Sequence, residues 1–350
     1  MERVYYTKYY ETILRIPAEC KLTELEVHYA TQLQMITVSG SNLHLKVLVI
    51  TKAAMRRIPR PLENLQALTH FVATDGQLEV VNLEAFHNVM KLKSVTLAAN
   101  KVRVLEISTD AELYVATQDL ILSDNELEYI DMEFFVPLKR LIFVDLHNNR
   151  LKQIVVREGK LITLPTITTI TLSENRLKEL NVTGWGAPKL SSIDLESNNL
   201  TRLPIGLDRL DGLQILQMGN NQLTTVDLGR FARCREMVRI DLSNNMLRTI
   251  LPTPHIPHTT PSRVSLPNLR ILVLSNNNLN NINYELWNFP KLATLLLSMN
   301  RIQRVPSLSN LLPGLQRALL TENPILCSNL RSLEADIASF KLRKGSITYI

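Results

Sequence analysis

Cysteine is scarce: the 350 residues hold three, Cys20, Cys234 and Cys327. So few, and an odd number, exclude a disulfide framework and leave either free thiols or one intermolecular bridge, with free thiols the expectation. Long apolar runs are missing too. No stretch approaches the roughly 18 residues of a membrane-crossing helix, so no membrane span is expected. The opening MERVYYTKYYETILRIPAEC lacks the apolar core of a secretory leader. Charge is only mildly one-sided, with 39 Lys and Arg against 33 Asp and Glu. No basic block, basic–aromatic interleaving or zinc spacing points to nucleic acid, so no nucleic-acid partner is expected. There is no glycine-rich phosphate loop either, and no cofactor is expected.

What the sequence has in quantity is asparagine at the ends of apolar segments. IDLSNNMLRTI, residues 240–250, places Asn244 and Asn245 where a buried strand should continue, and the same design recurs in IDLESNNLTRL, ILVLSNNNLNNI and TITLSENRLKEL. Alignment gives the template Leu-x-x-Leu-x-Leu-x-x-Asn-x-Leu-x-x-Leu. Its asparagines are Asn100, Asn125, Asn149, Asn175, Asn198, Asn221, Asn245, Asn277, Asn300 and Asn323, at gaps of 25, 24, 26, 23, 23, 24, 32, 23 and 23 residues. Two upstream segments keep the apolar pattern with Ala53 and Gly76 in the asparagine position, making about twelve units between residues 45 and 326.

Each unit predicts one short strand whose alternate residues, such as Ile240 and Leu242, enter a shared core. The chain must then turn out of the strand, leaving buried backbone groups without ladder partners. An asparagine side chain offers both donors and an acceptor, so a stacked amide per unit can satisfy them. These ten asparagines are therefore expected to be structural. A second series supports that reading. Phe86, Phe135, Trp185, Phe231 and Trp287 follow the template position by ten residues and form an aromatic row on the side opposite the strands.

With this spacing the chain resembles a leucine-rich repeat protein of the 24-residue, Phe-spine type, over about four-fifths of its length. Within that type it is similar to insect secreted leucine-rich immune proteins and Toll-type ectodomains. The resemblance implies an α/β repeat solenoid, a horseshoe with a parallel concave β-sheet of about twelve repeats, capped at both ends. Residues 1–44 are expected to form the N-terminal cap, residues 45–326 the solenoid, and residues 327–350 a cap helix and tail built on Leu330, Leu333, Ile337 and Phe340. Tyr5, Tyr6, Tyr9 and Tyr10 are either cap packing or a contact patch, with packing the expectation. NPILC, 323–327, looks like the opening of the disulfide-bonded cap of extracellular members, but no second cysteine follows Cys327. Nor can Cys20 reach it across about twelve rungs at ~4.8 Å each. The 32-residue gap places a proline-rich insertion at about 251–266, expected to leave the ladder as a partly extended loop that is either a binding element or a tolerated surface insertion.

Outward strand positions should line the concave face. Their middle column runs Val49, Val72, Thr96, Ile121, Asp145, Thr171, Asp194, Gln217, Asp241, Val273, Leu296, Leu319: acidic at the centre, joined there by Glu196, and apolar at both ends. Asp145, Asp194 and Asp241 on alternate rungs stand roughly 10 Å apart, beyond the ~6.5–9.5 Å of paired catalytic carboxylates. An open sheet also leaves them wet, and His147 beside Asp145 has no nucleophile to serve. His255 and His258 lack further metal ligands. No enzyme activity and no metal site are expected. A contiguous apolar patch on an open sheet usually marks a binding surface, so Ile271, Val273, Leu296 and Leu319, unless covered by the C-terminal cap or the inserted loop, are the expected partner-binding patch, with Arg239 and Asp241 on its rim and Asp145, His147, Asp194 and Glu196 as further partner-binding candidates. Basic residues just past the template asparagine, among them Lys101, Arg103, Arg150, Lys152, Arg176, Lys178, Arg202, Arg248 and Arg301, form a stripe that is either a solvated edge or a site for an acidic partner, with the solvated edge the expectation.

The functional expectation is a non-enzymatic recognition module binding a protein through its concave face. The resemblance implies extracellular innate immunity, with a complement-like factor or another repeat chain as partner. An intracellular repeat scaffold or regulator of a signalling enzyme stays open, given the leaderless start. Sequons at Asn181 and Asn199 are candidate glycosylation sites if the chain is secreted.

Overall fold

The structure, a computed structural model, describes residues 2–251 and 263–329, apart from the side chains of Pro61, Ser309 and Cys327. Most of the expected insertion and the C-terminal cap helix lie outside the described residues. The chain divides into two compact units, Met1–Arg176 with Gly184–Lys189, and Leu177–Thr183 with Leu190–Ile350.

Both units are built from parallel coils, each adding one strand to a sheet. In the first unit, Arg3–Tyr6, Glu24–Val27, Val47–Thr51, His70–Thr74, Ser94–Thr96, Asp119–Ile121, Phe143–Asp145 and Thr169–Thr171 pair in that order. In the second, Ser192–Asp194, Ile215–Gln217, Arg239–Asp241, Ile271–Val273, Thr294–Leu296 and Arg317–Leu319 do the same. The period-2 geometry of a strand sends the central residue of each three-residue strand inward. Leu216, Ile240 and Leu272 accordingly have no exposure, and the next inward residue, Leu242 in its coil, is equally buried.

After each strand the chain turns through a left-handed residue placed one position ahead of every template asparagine. Ala99 (φ 54°), Asn148 (49°), Glu174 (54°), Asn244 (53°) and Met299 (57°) are examples, and Lys52 and Asp75 do the same ahead of Ala53 and Gly76. Asn244 and Asn245 thus have separate tasks: the first tolerates the left-handed turn, and the second faces the core. All ten template asparagines are buried. Asn245 Nδ2 donates to the carbonyls of Leu242 (3.1 Å) and Ser243 (3.0 Å) in its own coil and Met218 (2.9 Å) in the preceding one, and its Oδ1 accepts from Leu223 N (2.9 Å). Asn125 repeats this with Leu122, Ser123, Leu97 and Val102. Asn323 repeats it with Leu320, Thr321, Leu297 and Ile302. The backbone groups left over by the turn find their partners in these amides.

On the opposite side, three coils carry a shared motif, Asn82-Leu-Glu-Ala-Phe86, Asp131-Met-Glu-Phe-Phe135 and Asp227-Leu-Gly-Arg-Phe231. In each, the first side chain accepts a hydrogen bond from the backbone N–H two residues on and starts a short 3-10 turn. That turn delivers the phenylalanine to the core: Phe86, Phe135 and Phe231 are at most 3 % exposed, and Trp185 and Trp287 stand at 4 % and 6 %.

Residues 2–44 make up the N-terminal segment expected to cap the solenoid. They form two further coils, with Arg3–Tyr6 and Glu24–Val27 in the sheet and Ile13–Pro17 paired with Met35–Ser39 behind it. Asn42, fully buried, serves the backbone there, donating to Cys20 O (2.8 Å) and accepting from Leu45 N (2.9 Å). Of the early tyrosines, Tyr5, Tyr6 and Tyr10 are exposed, whereas Tyr9 is half-buried against Tyr6 and donates its hydroxyl to Ile13 O at 3.1 Å. Of the thiols, Cys20 and Cys234 are free. Burial pushes Cys234 up to about 11, so it stays a protonated, inert thiol at neutral pH.

Tyr284 is 2 % exposed, packs edge-on against Trp287 and has no partner for its hydroxyl among the described residues. Burial raises its pKa well above the usual tyrosine range. Removing an unsatisfied buried hydroxyl relieves a desolvation penalty. Tyr284→Phe is therefore expected to raise stability by about 1 kcal/mol, measured by urea unfolding; a loss of that size would mean the hydroxyl is satisfied in solution.

Candidate protein-binding face

The outward column is in register within each unit. Thr96, Ile121, Asp145 and Thr171 align strand by strand in the first unit, and Asp194, Gln217, Asp241, Val273, Leu296 and Leu319 in the second. This follows from the sheet: parallel strands without register slip keep equal positions adjacent, about 4.8 Å apart.

The three aspartates share a task that periodicity does not reveal. Asp145, Asp194 and Asp241 each accept from the backbone N–H two residues on, at His147 (3.0 Å), Glu196 (3.0 Å) and Ser243 (3.1 Å). Each carboxylate closes the exit from its strand and is anchored by one oxygen. Asp241 is engaged on both oxygens, taking the Ser243 hydroxyl at 2.7 Å and the Arg239 guanidinium at 2.7 Å. The His147 ring turns to Ser173 Oγ (3.1 Å) rather than to the Asp145 carboxylate. Glu196 receives Asn220 Nδ2 at 2.9 Å. These groups are held in place by hydrogen bonds within the chain. Among the described residues, no group of three or more His, Cys, Asp or Glu side chains converges to hold a metal ion.

The apolar end of the column needs one correction. Ile271, Leu296 and Leu319 are partly exposed, but Val273 is only 6 % exposed. Valine is shorter than the isoleucine and leucines around it on the face and reaches less far out of the sheet. The available surface is therefore Ile271, Leu296 and Leu319, with Val273 as its floor and the Arg239–Asp241 pair on the adjoining strand.

The edge past the asparagines is less bare than its basic residues imply. Arg103 and Arg150 both bind Glu126, at 2.7 and 3.0 Å, Lys152 binds Glu128 at 2.7 Å, and Arg202 pairs with Glu179. The hydrogen bond from Arg103 holds the Glu126 carboxyl below its usual range. Of the two sequons, Asn181 is exposed, with Oδ1 accepting from Thr183 N and Oγ1, while Asn199 is half-buried beside Gln222.

A family model described as "Leucine rich repeat" matches residues 188–247. Podocan-like protein 1 of Homo sapiens is 30% identical over 294 residues, covering 78% of this chain and 55% of that protein. PH domain leucine-rich repeat protein phosphatase 1 of Rattus norvegicus is 30% identical over 195 residues, 54% of this chain and 10% of that protein. The chain thus spans about half of the first relative and a tenth of the second. Among solved structures, one of the Toll–Spatzle complex, described as a molecular hub in Drosophila development and innate immunity, superposes with a TM-score of 0.63 at 21% identity, over 87% of this chain and 48% of that one. The described helices include none long and apolar enough to cross a membrane.

Proposed function

Because the chain is a leucine-rich repeat protein, we propose that it is a non-enzymatic recognition module that binds a protein partner through the open face of its sheet. The observation that carries the reading is the patch Ile271, Leu296 and Leu319, apolar and partly exposed on the last three successive strands of the described sheet. Apolar burial there supplies affinity. The clamped Arg239–Asp241 pair beside it sets orientation. The setting we favour is extracellular innate immunity, with a complement-like factor or another repeat chain as partner; similarity to a protein whose solved complex belongs to innate immunity supports this. A second reading, an intracellular scaffold or regulator of a signalling enzyme, is supported by similarity to a repeat-bearing phosphatase. Mass spectrometry of protein from its natural source separates the two: a glycan on exposed Asn181 supports the first, and unmodified Asn181 in a cytosolic fraction the second.

The binding face is tested with Leu296→Glu and Leu319→Glu, using Leu161→Glu, 63 % exposed away from this face, as control. Binding partners would be captured from the natural source and quantified. A carboxylate desolvated in an interface costs several kcal/mol, so both face variants should lose capture at least about 100-fold while Leu161→Glu and all unfolding midpoints stay unchanged. Equal capture by all three overturns the reading.

A further inference from the structure

The two units repeat one surface arrangement in which the acids of the first unit are amides in the second. In the first, Arg103 lies three positions past its template asparagine, Glu126 one position past the next, and Arg150 one past the one after. The Glu126 carboxylate fills the space between the guanidiniums, taking Arg103 Nε at 2.7 Å on Oε2 and Arg150 Nη2 at 3.0 Å on Oε1. In the second unit the same three offsets hold Arg248, Asn278 and Arg301. The arginines are kept and the acid is replaced by a neutral amide. Arg248, Asn278, Asn280 and Arg301 line one surface notch, and the offset that carries Glu128 in the first unit carries Asn280 here.

The arginines of the second unit therefore have no acid between them. Neither guanidinium has an ion-pair or hydrogen-bond partner among the described residues. The two guanidiniums stand on alternate coils with a neutral coil between them, where an anion would meet both charges. The amides at 278 and 280 add donors that a neutral notch would not need and an oxyanion uses. We propose that the Arg248–Asn278–Asn280–Arg301 notch is a carboxylate-binding site that receives an acidic side chain of the protein partner, which takes the place Glu126 occupies in the first unit. The inference rests on the protein-recognition reading for the origin of that carboxylate and adds a second, charged anchor to it.

The site is testable without the partner, so its failure is distinguishable from failure of the apolar face. The probe is acetyl-glutamate-amide, titrated at constant ionic strength into protein carrying 15N-arginine, with the Nε resonances assigned by Arg248→Gln and Arg301→Gln. The Arg248 and Arg301 signals should shift together and saturate on the order of tens of millimolar, as suits an exposed charge-assisted pair, while Arg103 and Arg150 do not move. Asn278→Glu supplies the missing carboxylate in cis and should weaken probe binding at least tenfold. Because Asn278 is half-buried, Arg301→Gln, a change at an exposed residue, serves as a second variant with the same expected loss. Linear shifts without saturation, equal shifts at Arg103, or undiminished binding in Asn278→Glu overturn the site. Saturation by inorganic phosphate or sulfate with none by the glutamate probe overturns the carboxylate assignment.

Discussion

Asn245→Ala should lower the unfolding free energy by about 3 kcal/mol, the upper end of the range for buried groups left unpaired. Four hydrogen bonds end at this one side chain. Without it Leu223 N loses its acceptor, and three carbonyls lose a donor in a place closed to water. Asn245→Asp should be worse than alanine, since a carboxylate would face three carbonyl oxygens with no proton to share. Asn244→Gly, one residue away, should cost nothing or stabilise slightly, because glycine adopts φ 53° freely. Urea unfolding of the three variants reads out the order. If Asn245→Ala costs no more than Asn244→Gly, the amide ladder is not what satisfies the turns.

Phe231→Ala is expected to cost about 3–5 kcal/mol, the range for emptying a phenylalanine site in a packed core. Phe231 is fully buried and sits at the end of the short turn that Asp227 caps through Gly229 N at 2.8 Å. Asp227→Ala removes only that cap and should cost about 1 kcal/mol. Because each coil contacts only its neighbours, the Phe231 loss should be felt locally, as faster amide hydrogen exchange at Val226, Leu228 and Leu207 before distant coils respond. Equal losses from the two variants would show that the turn, and not the aromatic side chain, holds the back of these coils.

Periodicity was enough to read the ten asparagines, the aromatic row and the outward column, because repetition averages away the ambiguity of any one short segment. Parallel pairing and the buried positions of Ile240 and Leu242 followed from the same spacing. Other features were decided only in three dimensions. The left-handed column takes Ala99, Glu174 and Met299 as readily as Asn244; its conformation is imposed by the coil, so residue type carries little signal. The anchoring of Asp145, Asp194 and Asp241 was hidden behind their outward position, although a short acceptor two residues before a free N–H was the clue available. Val273 was assigned by alternation to the open face, yet it is nearly buried, and alternation gives direction without depth. The tyrosines at the start and Asn42 escaped because the first coils lack the template amide. What the sequence determined by itself is the repeating coil, since local hydrogen bonding and apolar spacing close on one another every 23 to 26 residues outside the single longer gap. Which surface side chains are free to meet a partner was decided only by tertiary structure: Arg103 and Arg248 occupy equal positions, and only the neighbouring coils determine that one is neutralised by Glu126 and the other is not.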